Sequence, residues 1–463
     1  MEVYLREMEE RLNLLKHSLV FAIRIDADGN DPFTGGLRSI SIGANGQEPI
    51  DLLPESIKKF RDDIQQLLST NALKVFFDAK HALKVLQRAG FQVQCPYFDV
   101  ELADRLLNST KTSETSLDSL AMKYDVIAES TIGKLLQLRD KLKQEILKSK
   151  IIDTAVLEFA TIPAVVEMEL TGILFNRGRW AQIQSGINGG EDYLKHIHML
   201  TGRIHPNYNQ LGTSTGRFSC KMPSVHGIPK PVRSCIVAPP GYCLVDADYS
   251  QQEPRILAEI TGDRRLIADF QREDDIYKIM AASLLKKTVD EISESERQTA
   301  KMTVLALLYG SGDERLQQGL LSKGISFTLS QVRQIKGAFF AKYSKVGERY
   351  RQLKYINTNQ VCSIGGRRRI SDGDLSFPEL CNSPIQATGA DILKKALSLL
   401  PQALIGTSGK IIACVHDEIL LQSKEDEAEH VSAILNANML EAAQFFLKKV
   451  PSVVDVTILD NWQ

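Results

Sequence analysis

The chain has 463 residues, of which 43% are hydrophobic, and its formal net charge is −1 at pH 7. This length predicts about two to four domains with sizeable hydrophobic cores. The near-neutral balance excludes a uniformly basic surface, so any site for a polyanion must be a local basic patch. The seven cysteines form no CxxC motif, which favours scattered thiols in a reducing compartment over a disulfide framework.

The N-terminus and the hydropathy of the chain indicate where the protein resides. The opening segment, MEVYLREMEERLNLLK, is too charged for a signal peptide. No stretch approaches the roughly 18 apolar residues of a membrane span. We therefore expect a soluble, cytoplasmic protein without a membrane partner.

Strand and helix patterns alternate over the first part of the chain. An apolar run at Leu19–Ile25 leads into a turn, and another at Val75–Phe77 precedes an amphipathic helix around Ala79–Ala89. This alternation predicts an α/β domain over residues 1–150. Further on, the glycine-rich segment Gly186–Gly190 predicts a loop or linker.

Two aspartates follow an apolar strand pattern in the middle of the chain. Asp246 and Asp248 come directly after Tyr242–Val245, and residues two apart on a strand share a face. A helix is expected from Gln251, with Pro254 near its start. Asp248 should therefore lie at a strand exit and face a cleft. The alternative is an ordinary capping aspartate.

A polar triplet interrupts two apolar runs near the C-terminus. His416, Asp417 and Glu418 separate Lys410–Val415 from the following apolar residues, which predicts a β-hairpin with Asp417 at its tip. Burying such a triplet is costly unless a cation compensates it. Mg²⁺ suits a pair of carboxylates combined with substrate phosphates. A polar hairpin turn without a metal is the alternative.

Four residues recur at every fourth position on one predicted helix, of which two are cationic and one is aromatic. Arg297, Lys301, Leu305 and Tyr309 form a stripe on one face, and Gly310 fits the helix end. The two cations lie near the positive N-terminal end of the helix dipole, where they would hold a triphosphate. The tyrosine would reach a base or sugar. A solvated helix face is the alternative, but the apolar neighbours of the stripe argue against it.

Together these blocks resemble the family A DNA polymerases, those similar to bacterial DNA polymerase I. Further segments carry the same resemblance, which covers nearly the whole chain and is strongest from about residue 200 onward. They are Thr213–Ser219, Gly366–Arg369, Asn382–Gln386 and Trp462.

The resemblance implies a fold of two parts. The first is an RNase H-like, exonuclease-type α/β domain at residues 1–150. The second is a polymerase domain at residues 151–463, with an antiparallel palm sheet and long fingers helices. Its expected subdivisions are a reduced thumb or connector (151–204), palm (205–260), fingers (261–365) and palm again (366–463).

The resemblance also implies template-directed addition of deoxynucleotides to a primer 3′ end with two Mg²⁺ ions, for which Mn²⁺ is able to substitute. The metal ligands would be Asp248, Asp417 and the backbone carbonyl of Tyr249. Lys301 would donate a proton to pyrophosphate, and Glu418 would be a supporting catalytic carboxylate. The expected partners are primer–template DNA, deoxynucleoside triphosphates and a processivity or replication protein.

Other site residues are implied by their positions in segments that resemble the family. Glu253 would fill the space of a ribose 2′-hydroxyl, and Tyr309 would close over the templating position. Leu305 replaces an aromatic residue of the family, and Ser224–Pro229 departs from the usual minor-groove reader. The implied substrate contacts are Arg297, Lys301, Leu305, Tyr309, Glu253 and Gln251. The implied DNA contacts are Arg217, Asn382, Gln386, His416 and Arg255.

Two regions depart further from the family. The stretch between Gly172 and His205 is too short for the usual helical thumb, which predicts low processivity or reliance on a partner protein. In the N-terminal region, Arg24 and Asp26 align with the Asp-x-Glu metal pair of the exonuclease, and Ala82 aligns with its later aspartate. No Tyr-x-x-x-Asp follows, so a domain without proofreading activity is expected.

Two other functions remain open from the sequence. A single-subunit RNA polymerase shares the hand-shaped architecture, but a bulky Glu253 should exclude ribonucleotides. A polymerase-derived nucleic-acid-binding scaffold with little activity would account for the missing thumb. It would not need the combination of Asp248, Asp417, Arg297 and Lys301.

Overall fold

The computed structural model describes residues 2–29, 31–108, 116–187, 192–272, 274–322 and 324–462. Residues 188–190 of the predicted glycine-rich linker lie outside these ranges. Within the same ranges, no helix is both long and apolar enough to cross a membrane.

The N-terminal region is built on a mixed sheet with strand order β3-β2-β1-β4-β5. Its strands are β1 (Val20–Ala27), β2 (Leu37–Gly43), β3 (Ile50–Leu52), β4 (Leu73–Phe76) and β5 (Tyr97–Asp99). The first three strands pair antiparallel, whereas β4 joins β1, and β5 joins β4, in parallel. The parallel pairs need helical crossovers. The predicted α/β domain is confirmed.

Helices pack against this sheet. They are α1 (Glu2–Lys16), α2 (Pro54–Lys59), α3 (Arg61–Leu68), α4 (Ala79–Arg88), α5 (Val100–Asn108), α6 (Leu117–Lys123) and α7 (Thr131–Lys148). Helix α4 ends before Gly90, as its apolar spacing predicts. Phe21, Val75 and Leu135 belong to the hydrophobic core that results.

Helix α8 (Ile152–Thr171) joins this region to the rest of the chain. Ala155 and Phe159 pack into the N-terminal core, whereas Val165 and Met168 pack into the core of the C-terminal region. The domain boundary predicted at residues 150/151 therefore falls just before a helix that both cores share.

Short elements follow α8. Those in the region predicted as a reduced thumb, residues 151–204, are β6 (Leu174–Phe175) and α9 (Arg177–Ile183), with 3₁₀ turns at Gln184–Gly186 and Tyr193–His196. Those in the region predicted as the first part of the palm are β7 (Asn207–Asn209), β8 (Ser219–Lys221), α10 (Lys230–Arg233) and β9 (Ile236–Val237), with a 3₁₀ turn at Val225–Gly227. Between Gly172 and His205, the described residues contain no helix longer than α9. That helix spans only about 10 Å.

Strand β10 (Tyr242–Tyr249) leads into α11 (Gln252–Thr261) and a group of helices. The group consists of α12 (Arg264–Gln271), α13 (Ile276–Leu285), α14 (Glu294–Leu308), α15 (Asp313–Leu321), α16 (Leu329–Lys342) and α17 (Ser344–Leu353), with a 3₁₀ turn at Val289–Glu291. Ser293 and Glu296 form a reciprocal capping box at the start of α14. The predicted helix is confirmed.

The palm sheet closes the fold. The remaining elements are β11 (Gln360–Cys362), β12 (Arg368–Ile370), α18 (Phe377–Ala403), β13 (Lys410–Val415), β14 (Glu418–Lys424), α19 (Ala428–Phe446) and β15 (Val454–Leu459), with a 3₁₀ turn at Glu425–Glu427. Strands β13-β14-β10-β15 pair antiparallel in that order, as expected for the palm. Helices α18 and α19 pack against each other beside this sheet.

Candidate active site

A cleft of about 380 Å³ opens between the end of the palm sheet and the helices α11, α13 and α14. It gathers most of the side chains singled out from the sequence. These are Arg217, Asp248, Tyr249, Gln251, Glu253, Arg297, Lys301, Leu305, Tyr309, His416 and Asp417. Five residues that the sequence did not indicate as site residues also line the cleft. They are Ser250, Gln252, Pro254, Tyr277 and Asp455.

The two central carboxylates meet because two strands end at the same place. Asp248 on β10 pairs across the sheet with Glu418, the first residue of β14. Asp417 lies in the turn just before Glu418, and its carbonyl oxygen accepts a 3.4 Å bond from the backbone N–H of Tyr249. His416 has a φ of 56°, a left-handed conformation that lets the chain reverse in two residues. Asp417 is thus at the hairpin tip, as predicted.

The electrostatics of this pair suit a cation. Desolvation by the cleft walls, followed by the charges of Asp417 and Glu418, raises the pKa of Asp248 to about 8, although its carboxylate stays open to solvent. Burial, followed by the charge of Glu253, raises the pKa of Asp417 to about 6. A divalent ion would relieve this repulsion.

Tyr249 also lines the cleft. The Tyr249 ring is buried, and its hydroxyl donates a 2.7 Å hydrogen bond to the carbonyl oxygen of Met439. The ring therefore points into the core, and the residue faces the cleft through its main chain. Two carboxylates and a carbonyl oxygen form a donor set that fits Mg²⁺.

The cationic stripe of α14 faces these carboxylates across the cleft. Arg297 and Lys301 lie 5.6 Å and 6.0 Å from the ring centroid of Tyr277. Asp275, the N-cap residue of α13, accepts a 2.6 Å hydrogen bond from Arg297 Nε. Sequence reasoning missed both partners. The N-cap pattern of Asp275 was readable, but nothing local indicates that Tyr277 packs under α14.

Glu253 links the helix stripe to the palm. Its carboxylate accepts a 2.6 Å hydrogen bond from the Tyr309 hydroxyl and a 2.7 Å bond from Arg217 Nη2. Burial and the charge of Glu253 raise the pKa of Tyr309, so this hydroxyl keeps its proton. Three residues that were singled out separately are therefore one hydrogen-bonded unit.

The family assignment follows from comparison with known proteins. A model of DNA polymerase family A matches residues 101–463. The chain belongs to DNA polymerase family A. This match confirms the resemblance seen in the sequence. Enzymes of this family are DNA-directed DNA polymerases that depend on divalent metal ions. A model of 3′–5′ exonucleases matches residues 5–160, which confirms the exonuclease-type domain.

Bacterial DNA polymerases I are among the relatives. The polymerase is 27% identical over 441 residues to DNA polymerase I of Aquifex aeolicus, a match covering 89% of this chain and 74% of that protein. It is 34% identical over 291 residues to DNA polymerase I of Chloroflexus aurantiacus. That match covers 58% of this chain but 29% of the Chloroflexus protein, so the chain spans a minor part of this longer relative.

The fold has a close counterpart among solved structures. The POL domain of Pol1 from M. smegmatis, in complex with DNA primer-template and dNTP, superposes with a TM-score of 0.84. The match covers 98% of both chains at 22% sequence identity. It confirms the overall architecture of this family A polymerase.

Several expected site residues of the polymerase lie outside the cleft. Glu418 bonds Arg233 at 3.3 Å and the indole N–H of Trp462. Its charge, after burial, raises the pKa of the neighbouring Asp246 to about 8. Glu418 thus stabilises the turn through contacts with residues that do not line the cleft. Asn382 and Gln386 are half-buried on α18 and do not line the described cleft, so their DNA contacts stay a prediction.

The structure buries Arg255, for which the family resemblance implies a DNA contact. Arg255 is 4% exposed, and its guanidinium donates to the carbonyl oxygens of Ser250 at 2.9 Å and Pro451 at 2.6 Å. It also stacks over the ring of Phe270. The side chain therefore ties α11 to the segment before β15, and its DNA contact stays a prediction.

A second histidine packs against the turn that carries Asp417. The rings of His226 and His416 are 5.7 Å apart and inclined by 35°, and Tyr208 packs edge-on against His226. Burial, followed by the charge of His416, lowers the pKa of His226 to about 4. His226 is therefore a neutral residue under the turn that carries Asp417.

Three residues of the exonuclease-type region align with metal ligands of the family. Arg24 and Asp26 are exposed on β1, and Ala82 is buried in α4. The nearby carboxylates accept hydrogen bonds from backbone N–H groups. Asp78 caps α4, and Asp99 accepts hydrogen bonds from the backbone N–H groups of three residues at 2.7–3.0 Å.

Proposed function

We propose that this chain adds deoxynucleotides to the 3′ end of a DNA primer under the direction of a template, without proofreading and with low processivity. The observation that carries the proposal is the cleft shared by Asp248, Asp417, Arg297 and Lys301. It sets a pair of acidic side chains opposite a cationic helix face, which is the charge pattern that metal-assisted transfer from a triphosphate requires.

Asp248, Asp417 and the carbonyl oxygen of Tyr249 would hold two Mg²⁺ ions, with Mn²⁺ as a substitute. Bound ions supply activation of the primer hydroxyl and charge neutralisation at the leaving pyrophosphate. The carboxylates are suited to this role because their mutual repulsion disfavours the ionised pair in the absence of a cation.

The helix residues would position the nucleotide. Arg297 and Lys301 would bind the triphosphate, and Lys301 would donate a proton to the pyrophosphate oxygen. The carboxylate of Glu253 is held by Tyr309 and Arg217, so it has little freedom to move aside for a ribose 2′-hydroxyl. Deoxynucleotides are therefore the preferred substrates.

The absence of proofreading rests on Arg24 and Ala82, which stand at positions where divalent ions would need carboxylates. Low processivity rests on the short α9 and the turns around it. A protein with fewer backbone contacts holds DNA more weakly and with greater salt sensitivity. A replication or processivity partner would offset this weakness.

Primer extension with Mg²⁺ tests the proposal. Templated extension with deoxynucleotides is expected, with short products per encounter when heparin traps released protein. The variant Asp417→Ala should abolish extension, whereas Asp426→Ala, which changes an exposed aspartate, should not. Equal use of ribonucleotides would favour an RNA polymerase. No extension by the unmodified chain would favour a binding scaffold.

A further inference from the structure

A second concave surface lies away from the polymerase cleft. It has a volume of about 460 Å³ and is formed by the start of α8, the middle of α18, the end of α19 and the turn after β11. It shares no lining residue with the active-site cleft. We call it the palm groove, and its apolar walls are Val156, Leu157, Ala160, Ile364, Phe445 and Phe446.

Large apolar side chains around the palm groove are unusually exposed. Val156 is 57% exposed and Phe445 is 58% exposed, and Ile152 and Ile364 are exposed beside them. Apolar side chains clustered on one surface, rather than scattered singly, mark sites of protein interaction. A groove of this volume accommodates one or two large apolar side chains of a partner.

A buried polar group in the palm groove lacks a partner. Thr154 lines the groove and is 1% exposed, and its hydroxyl has no hydrogen-bond partner within the described part of the chain. Leaving such a group unpaired costs free energy. Asp391 at the base is different, because it accepts hydrogen bonds from Arg367 at 2.7 Å and Ser363 at 2.5 Å. Thr154 is thus an unpaired polar group in the wall of the palm groove.

The charges at the rim select the kind of partner. Lys395 and Lys448 lie 5.3 Å and 5.6 Å from the ring centroid of Phe445. Among the described lining residues, Asp153 is the acidic group that opposes them, since Asp391 is already paired with the buried Arg367. The rim is therefore net positive around an apolar floor, which complements an acidic segment.

We propose that the palm groove binds an acidic peptide segment of a partner protein, anchored by one large apolar side chain. The apolar anchor occupies the space between Val156 and Phe445, and flanking carboxylates of the peptide lie near Lys395 and Lys448. This binding is independent of nucleotide transfer, because the palm groove and the cleft are lined by different residues.

Selection from a phage-displayed random peptide library tests the proposal on the full chain. Selected peptides are expected to carry Asp or Glu beside a Leu, Ile, Phe or Trp. In fluorescence polarisation, Val156→Asp should weaken binding of a selected peptide at least tenfold, and Lys395→Glu with Lys448→Glu should do the same. Met122→Asp, which alters an exposed apolar side chain elsewhere, should not.

Several results would overturn the proposal. These are no enrichment of peptides, a basic consensus, or selected peptides whose binding is unaffected by Val156→Asp. Two further results would overturn the proposal: binding of single-stranded oligonucleotides that Val156→Asp abolishes, and a dimer in sedimentation that Val156→Asp abolishes. The occupant of the groove would then be a nucleic acid or a second copy of the chain. Unchanged primer extension and thermal unfolding show that each variant is folded.

Discussion

The hydroxyl of Tyr309 donates a 2.6 Å hydrogen bond to the carboxylate of Glu253. Tyr309 follows α14 and Glu253 lies at the start of α11, so this bond connects the cationic helix to the palm. Arg217 completes the connection from the loop before β8. The side chain that would exclude a ribose hydroxyl is therefore held in place from two sides.

Removing the Glu253 carboxylate should relax sugar discrimination. In Glu253→Ala the space for a 2′-hydroxyl opens, and the preference for deoxynucleotides over ribonucleotides is expected to fall about tenfold or more. Single-nucleotide insertion kinetics with each triphosphate measure the ratio. Tyr309→Phe is the matched control, because it removes one hydrogen bond but keeps the carboxylate. An unchanged ratio in Glu253→Ala would exclude this role of Glu253.

Divalent ions should stabilise the folded protein through Asp248 and Asp417. Addition of Mg²⁺ is expected to raise the Tm by about 2–4 °C, because the ions bind the folded cleft and offset its carboxylate repulsion. Asp248→Asn should lose this rise, whereas Asp426→Asn should keep it. Differential scanning fluorimetry with and without EDTA gives both values. A rise of the same size in Asp248→Asn would place the ion elsewhere.

A buried ionic network should make stability depend on acid. Lys394 and Arg367 contact Glu158 at 2.5 Å and 2.6 Å. Burial opposes ionisation of Glu158, but these two cations outweigh it and lower its pKa below the ordinary value of 4.5. Ionised Glu158 therefore stabilises the fold above pH 4.5, and this contribution is lost as the pH falls through the lowered pKa.

The variant Glu158→Gln measures that contribution. The substitution leaves the buried cations without their full counter-charge, so the free energy of unfolding at pH 7 is expected to fall by about 3–5 kcal/mol. Between pH 5 and pH 3 the variant should lose less stability than the unmodified chain. Urea unfolding at several pH values provides the comparison. Glu145→Gln breaks an exposed pair with Lys148 and should change stability by less than about 0.5 kcal/mol. Equal effects of the two variants would contradict the account.

The exonuclease-type domain should not trim DNA. A primer with a mismatched 3′ end, incubated with Mg²⁺ and without nucleotides, is expected to keep its length. Gel electrophoresis of the labelled primer provides the measurement. Trimming that disappears in Asp26→Ala or Asp78→Ala would show that the domain still cleaves DNA, and trimming that persists in both would indicate a contaminating nuclease.

Local patterns in the sequence were sufficient for much of the site. The capping box at Ser293, the four-residue stripe of α14 and the two-residue turn at Asp417 depend on neighbours within a few positions. They could therefore be predicted. Their convergence in one cleft followed from the family resemblance and not from spacing alone.

Other features depend on contacts between distant segments. Arg255 turns inward because carbonyl groups of Ser250 and Pro451 need donors, and no local pattern reveals which face of a largely buried helix a cation will occupy. Tyr277 meets the cations of α14 only after α13 and α14 pack together. The palm groove likewise requires α8, α18 and α19, which are far apart in sequence.

The most direct test of the account is a double-mutant comparison at Asp248 and Asp417. If both carboxylates hold the same ions, Asp248→Asn and Asp417→Asn should each lower the single-turnover extension rate at least about a thousandfold, and the double variant should be no slower than the slower single variant. A shared metal site would be contradicted if the rate losses of the two single variants multiplied in the double variant. It would also be contradicted if either single variant kept nearly full activity.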